Sequence, residues 1–323
     1  MSFDERIPGN KNILPVILIT LHVFCCCTGP FEQAIPEDSP YLVVLGIAQD
    51  GGYPQTACDK DCCKEAWLNP ELRRMVVCLG IVDPATGNKW LIDATPDIKE
   101  QINRLKLISG TATSAVNGIF LTHAHIGHYT GLMQFGHEAI GATEMPVYAM
   151  PRMKRYLSSS GPWDQLVRYR NICVVELAEN EPVVLTHELT VTPFLVPHRD
   201  EYSETVGYRI KGPHKSVIYI PDINKWEIWD KDINDIIRNN DLLFIDGSFY
   251  NNGEIEGRDM SDFPHPFIEE SITRFESLPD SEKQKVFFIH LNHTNPAIHD
   301  IHTREEINKS GFRVASQFQI VPL

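Results

Sequence analysis

The sequence predicts a layered α/β protein whose strands converge on one polar site, and three observations predict it. Apolar, β-prone runs alternate with helical segments from Tyr41 onward. A His or Asp follows the end of such a run at Asp93, His123, His198, Asp222, Asp246 and His293. One polar residue in that place is usually a cap or a satisfied core group. Six imply that the strand ends meet, as ligands at the mouth of an α/β sandwich must. Third, His123, His125 and His128 form an H-x-H-x-x-H pattern between the strand-like Ile119–Thr122 and the helical-looking Leu132–Ala139. Neutral imidazole is the commonest protein ligand for zinc-like metals. Alternation puts His123 and His125 on one side of an extended segment, and His128 joins them as the chain turns.

The chain has 323 residues, 42% of them hydrophobic and 22% charged, enough for one large or two small domains. Its formal charge of -14 argues against a nucleic-acid backbone as partner, because phosphates need a basic face. There is no internal repeat and no low-complexity tract.

Residues 1–40 stand apart. The apolar run Ile13–Phe24 is short for a membrane span but suits the core of a secretory signal, and Cys25, Cys26 and Cys27 follow it. A cysteine there resembles a lipoprotein signal. Residues 1–27 are therefore expected to be a signal peptide, and the chain to be exported to the cell envelope or periplasm on a lipid anchor. The competing reading is a buried N-terminal strand or helix. Pro30, Pro36 and Pro40 mark residues 28–40 as a tether.

Tyr41–Ile47 is expected to be the first strand. It runs into an irregular loop with Gly51, Gly52 and Pro54, then Cys58, Cys62 and Cys63. Three thiolates and a fourth ligand would make a closed structural zinc site. Cys78 and Cys173 qualify as that ligand by residue type alone, and a disulfide or free thiols remain open. Strands are expected at Met75–Val82 and Lys89–Ile92, the second ending in Asp93, which could cap a helix or anchor a metal histidine from behind. Pro96–Leu107 reads as a helix. Strands follow at Pro146–Ala149, Val174–Leu177, Pro182–Leu185, Leu189–Val196, Thr205–Ile210, Ser216–Ile220, Leu242–Ile245 and Val286–Ile289. Helices are expected at Met150–Ser158, Ile223–Arg238 and His265–Leu278, and Phe312–Val321 closes with one or two strands.

The T-H-x-H-x-x-H core, the later lone His198, Asp222 after a strand and the final His293 resemble the metallo-β-lactamase superfamily, in order and over roughly Tyr41–Leu323. AQDGGYPQTAC, LTHAHIGHYTGL, DEYSETVGYRI, DGSFYNNGEI and LNHTNP are similar to segments of the pyrroloquinoline quinone biosynthesis B proteins. The resemblance implies an αββα fold, two packed sheets with helices outside. It also implies one metal site at His123, His125 and His198, a second at His128 and His293, and Asp222 bridging them. Gly127 stands where the family carries an aspartate of the second site. That departure predicts a weaker second site, with glycine there for its backbone freedom or for want of a carboxylate.

Three imidazoles with an open position would make a catalytic centre, for one or two zinc ions or for iron. The metal would bring the pKa of water toward about 7 and polarise a carbonyl or phosphoryl group, with Asp222 as proton acceptor. The sequence thus predicts a metal-dependent hydrolase of a small-molecule substrate. An iron-dependent oxygenase and a non-enzymatic metal-binding envelope protein are the alternatives. It specifies neither substrate nor oligomeric state.

Overall fold

The computed structural model describes residues 35–36 and 39–323. The expected signal peptide and most of the tether lie outside the described residues. Among the described residues no helix is long and apolar enough to cross a membrane.

Two seven-stranded sheets face each other. In the first, β1 (Tyr41–Gly46), β2 (Cys78–Asp83) and β3 (Asn88–Ile92) are antiparallel, and β4 (Gly118–Phe120), β5 (Met145–Ala149) and β6 (Ile172–Glu176) continue parallel to β3. In the second, β7 (Val183–Val184), β8 (Thr190–Leu195), β9 (Val206–Lys211) and β10 (Ser216–Ile220) are antiparallel. There β11 (Leu242–Asp246), β12 (Val286–Ile289) and β13 (Arg313–Val314) run parallel to β10. The chain then returns as β14 (Ile320–Pro322) beside β1. Each sheet thus changes from antiparallel to parallel midway, and ligands gather beyond the carboxyl ends of such parallel strands.

Strand alternation builds the layers. Along β1, Leu42 and Val44 join the core between the sheets, with Phe120, Tyr208 and Ile245. Tyr41, Val43 and Leu45 face the other way, toward Ile98, Leu105, Met153 and Leu166 of the outer helices. On the far side Ile233, Ile237, Ile268 and Ile307 supply the covering helices. Each such side chain removed from water stabilises the fold by roughly 1.5–3 kcal/mol, an upper range because unfolded chains are already partly collapsed. The result is the expected αββα sandwich.

Element boundaries differ from expectation where polar caps interrupt an apolar pattern. The expected helix Ile223–Arg238 is a 3-10 turn, Trp226–Ile228, and a separate helix, Ile233–Arg238. Asp232 starts the latter by accepting the Asn234 N–H at 2.9 Å, so the apolar spacing spans a break. The helix expected from His265 begins only at Ile268, after Pro264 and Pro266. Leu132–Ala139 is not an α-helix but the end of a 3-10 segment, Thr130–Phe135, and a turn. The closing stretch forms two strands, one in each sheet.

Candidate metal centre

The H-x-H-x-x-H segment leaves β4 extended and turns at His125, the residue before the short helix Ile126–Tyr129 that contains His128. Both sheets hold it. Val206 of β9 donates its N–H to the Thr122 carbonyl at 3.1 Å, and the Tyr208 hydroxyl donates to the Leu121 carbonyl at 2.6 Å. The Ala124 N–H donates to Ser203 Oγ at 2.9 Å. Asp93, just past β3, accepts the Thr122 N–H at 2.8 Å. Asp93 and His290 adopt left-handed backbone, φ 74° and 66°. Such conformations cost free energy in non-glycine residues and concentrate at functional sites.

His123, His125, His198 and Asp222 bring their donor atoms within 4.8 Å of one another. Asp222 Oδ2 is 3.3 Å from His123 Nε2, 3.2 Å from His198 Nε2 and 3.8 Å from His125 Nδ1. These four sequence-derived candidates, three from strand ends and one from the turn after β4, therefore share one space.

The second group is Asp50, His128 and His290, likewise within 4.8 Å. Asp50 Oδ1 lies 3.5 Å from His128 Nε2, and His290 Nε2 lies 4.0 Å from Asp222 Oδ2. This corrects two expectations. The last histidine of the centre is His290, which follows β12 directly, whereas His293 stands at the cysteine cluster. The second group does contain a carboxylate, but it comes from the loop after β1. Position 127 is helical rather than left-handed, and its Cβ would sit 2.2 Å from Asp50 Oδ1. Glycine is there for space, not for φ.

The outward ring atoms are tied down, and carboxylate or amide oxygens set the tautomers of His128 and His198. The Thr122 hydroxyl donates to Asp93, so it accepts from His123 Nδ1 at 3.0 Å. His128 Nδ1 donates to Asp93 Oδ2 at 2.8 Å and His198 Nδ1 to Asn224 Oδ1 at 3.1 Å. His290 Nδ1 pairs with Ser248 Oγ at 2.9 Å, and His125 Nε2 with Glu201 at 3.3 Å. The opposite nitrogens of His123, His128 and His290 are buried with no hydrogen-bond partner. Buried polar atoms are normally satisfied. Inner ring nitrogens orphaned together, with outer nitrogens anchored, are what metal-ligating histidines show. The donor set fits a metal.

Beside Asp222, His265 Nδ1 lies 3.2 Å from Asp222 Oδ1 and 2.8 Å from Asp246 Oδ2. Burial pulls the His265 pKa down, but Asp246 and Asp222 outweigh it and raise it to about 9. His128 follows the same balance: burial lowers it, and Asp93 with Asp50 and Asp222 raises it to about 9. Burial and the neighbouring His128 push His123 well below its usual value. Burial would raise Asp222, yet His198, His265 and His290 hold it well below the usual carboxylate range.

A separate cluster joins Cys58, Cys62, Cys63 and His293, all four donors within 4.8 Å. The thiols are free, with Cys58 and Cys62 Sγ 3.8 Å apart against about 2.05 Å in a disulfide. Cys62 and Cys63 sit in the first turn of the helix Asp61–Leu68, where burial raises the Cys62 thiol and pushes the Cys63 thiol up to about 12. Burial raises the Cys58 thiol, but hydrogen bonds from the Lys60 N–H and the other two cysteines bring it below its usual value. Burial, with Lys60 nearby, lowers the His293 pKa, and its Nδ1 is buried without a partner. Neither Cys78, sealed in the layer beneath the outer helices, nor exposed Cys173 belongs to this group.

Sequence reasoning missed Asp50, His265 and the role of His290. His290 obeyed the strand-end rule better than His293 did. Asp50 stands four residues past β1 in a loop read only as irregular, and no local signal marks His265.

A family model described as a beta-lactamase superfamily domain matches residues 88–291. The coenzyme PQQ synthesis protein B of Methylorubrum extorquens is 26% identical over 302 residues, covering 85% of this chain and 97% of that protein. The protein of the same name from Xanthomonas campestris is 25% identical, with the same coverage of 85% and 97%. Among solved structures, Zn(2+)-bound PqqB from Methylobacterium extorquens superposes with a TM-score of 0.72 at 23% identity, covering 88% of this chain and all (100%) of that one. A diphosphatase of the PhnP family gives a TM-score of 0.61 at 22% identity, covering 88% and 98%. With the two helix-flanked sheets and the strand-end histidines, these similarities show that the chain belongs to the beta-lactamase superfamily and has the metallo-β-lactamase fold.

Proposed function

We propose that the protein is a metal-dependent hydrolase of a small-molecule substrate. The observation that carries the proposal is the set of buried inner nitrogens of His123, His128 and His290, orphaned around Asp222 while their outer nitrogens are held. A divalent metal bound there supplies Lewis-acid polarisation of the scissile group and activation of water near neutral pH. Ionised Asp222 presents Oδ2 to the metal, and Asp93 holds the rings of His123 (through Thr122) and His128 in their ligating tautomers. His265 hydrogen-bonds Asp246 Oδ2 through Nδ1 at 2.8 Å, and its charge beside Asp222 helps keep that carboxylate ionised. The cysteine cluster with His293 holds a structural metal. A formal charge of -14 favours a small substrate over a nucleic acid.

One observation favours a second reading. The active cluster offers only imidazole and carboxylate, donors that suit non-haem iron as well as zinc. An iron-dependent oxygenase related to the PQQ synthesis proteins follows from it. Elemental analysis of protein purified without added metal, with ester and phosphodiester hydrolysis assayed beside oxygen uptake, separates the two. Zinc with hydrolysis lost in Asp222→Asn supports the first; iron with oxygen consumption replaces it by the second. Metal without either activity would leave a binding protein.

Export on a lipid anchor remains part of the proposal, supported by Ile13–Cys27. Intact mass of the protein from its own host checks it: an unprocessed Met1 chain would sink it.

A further inference from the structure

We infer that Asp50 is a ligand of the second metal, replacing from a different loop the carboxylate that position 127 lacks. The inference rests on the metal-centre reading above and specifies one of its ligands.

Three observations carry it. Asp50 Oδ1 faces His128 Nε2 at 3.5 Å, and that nitrogen is buried without a hydrogen-bond partner. His290 Nε2, equally orphaned, completes a group whose donor atoms lie within 4.8 Å. The space a carboxylate-bearing side chain at position 127 would need is already filled by Asp50: a Cβ there would lie 2.2 Å from its Oδ1 and 2.6 Å from its Cα. The Gly127 N–H also donates to Asp50 Oδ1 at 3.0 Å, which aims the carboxylate at the ring. Glycine and aspartate are thus reciprocal. The glycine admits the carboxylate, and its bare N–H orients it. Two dications close together need anionic ligands on both sides. Asp50 and Asp222 provide one on each side, so the second site is not stripped of carboxylate.

The bland alternative is that Asp50 only caps the Gly127 N–H. Asp50→Asn separates the two roles, since the amide oxygen still accepts that hydrogen bond while the charge is lost. The probe is zinc titrated into chelator-stripped protein, read by calorimetry and by bound metal per chain, with thermal unfolding in parallel. The unaltered protein should bind three zinc ions per chain, one at the cysteine cluster and two at the histidine centre. Asp50→Asn should keep its melting temperature without metal and hold the second active-site ion at least tenfold more weakly. Gly127→Asp should destabilise the fold, because its Cβ would meet both the Oδ1 and the Cα of Asp50. Three ions bound with unchanged affinity in Asp50→Asn would overturn the role of Asp50 and leave the metal centre standing. One ion per chain in the unaltered protein, lost on Cys62→Ser, would overturn the centre itself.

Discussion

Two clusters share one short loop. His290, at the end of β12, reaches the centre between the sheets, and His293, three residues on, reaches the cysteines. The first cluster mixes imidazoles and carboxylates and spreads over both sheets. The second gathers three thiols and one imidazole from a single corner, four donors for a tetrahedral ion. Closed four-donor sulfur sites hold structure, whereas open nitrogen-oxygen sites do chemistry. The difference teaches that residue type alone cannot assign a ligand. Two histidines in the same loop join different clusters, and the backbone leaving β12 is left-handed at His290.

The comparison breaks most visibly at the cysteine corner. Cys62→Ser and His293→Ala should each release one metal per chain and lower the melting temperature by about 10 °C or more, because metal-binding energy in such sites is folding energy. Hydrolysis per remaining active-site metal should change little. A melting curve unmoved in both variants, with metal content intact, would mean the corner holds no ion.

The histidine centre should respond oppositely. Asp93→Asn should leave the melting temperature within a few degrees but weaken active-site metal affinity or activity by roughly 10- to 100-fold, the usual effect of losing the anchor behind a ligating histidine. The zinc isotherm of the variant gives the answer, and an unchanged isotherm would show that Asp93 only braces the loop.

A smaller effect concerns what ties the shared loop down. Thr294 donates to Glu254, and Asn292 pairs with Gln49, next to Asp50. Burial raises Glu254 to about 7, against hydrogen bonds from Thr294 and the Tyr250 N–H that work to lower it. The folded state therefore holds this proton more tightly than the unfolded chain. Its contribution to stability is full at low pH and is lost as pH rises from the unfolded carboxyl range, about 4.3, through about 7. Glu254→Gln, which mimics the protonated acid, should be nearly neutral at pH 5 and raise the melting temperature by about 2–4 °C at pH 8. Equal shifts at both pH values would place the Glu254 pKa near its ordinary value.

What was legible in the chain follows the same division. Long apolar strands such as Ser216–Ile220 and Val286–Ile289 were read to the residue, because burial on both faces leaves an uninterrupted run. His123, His125 and His128 were legible because one local segment carries them. Asp50 was not, because its meaning lies in the space Gly127 leaves across the fold. The choice between His290 and His293 was not, because the two join different clusters from one loop, which no pattern of hydrophobicity records. The break at Asp232 was hidden in the same way, an apolar rhythm continuing across a cap.

The centre takes Asp50, Asp93, His123, His125 and His128 from one sheet and His198, Asp222, Asp246, His265 and His290 from the other. It therefore has no existence in half of the molecule. During folding the complete ligand set can assemble only after the two sheets have docked, a late event built from contacts far apart in sequence. The cysteine corner draws on the loop after β1 and the loop after β12, and it too must wait for the chain to come together. Metal bound at either place is thus a report on completed assembly, and its release during denaturation should coincide with the parting of the sheets.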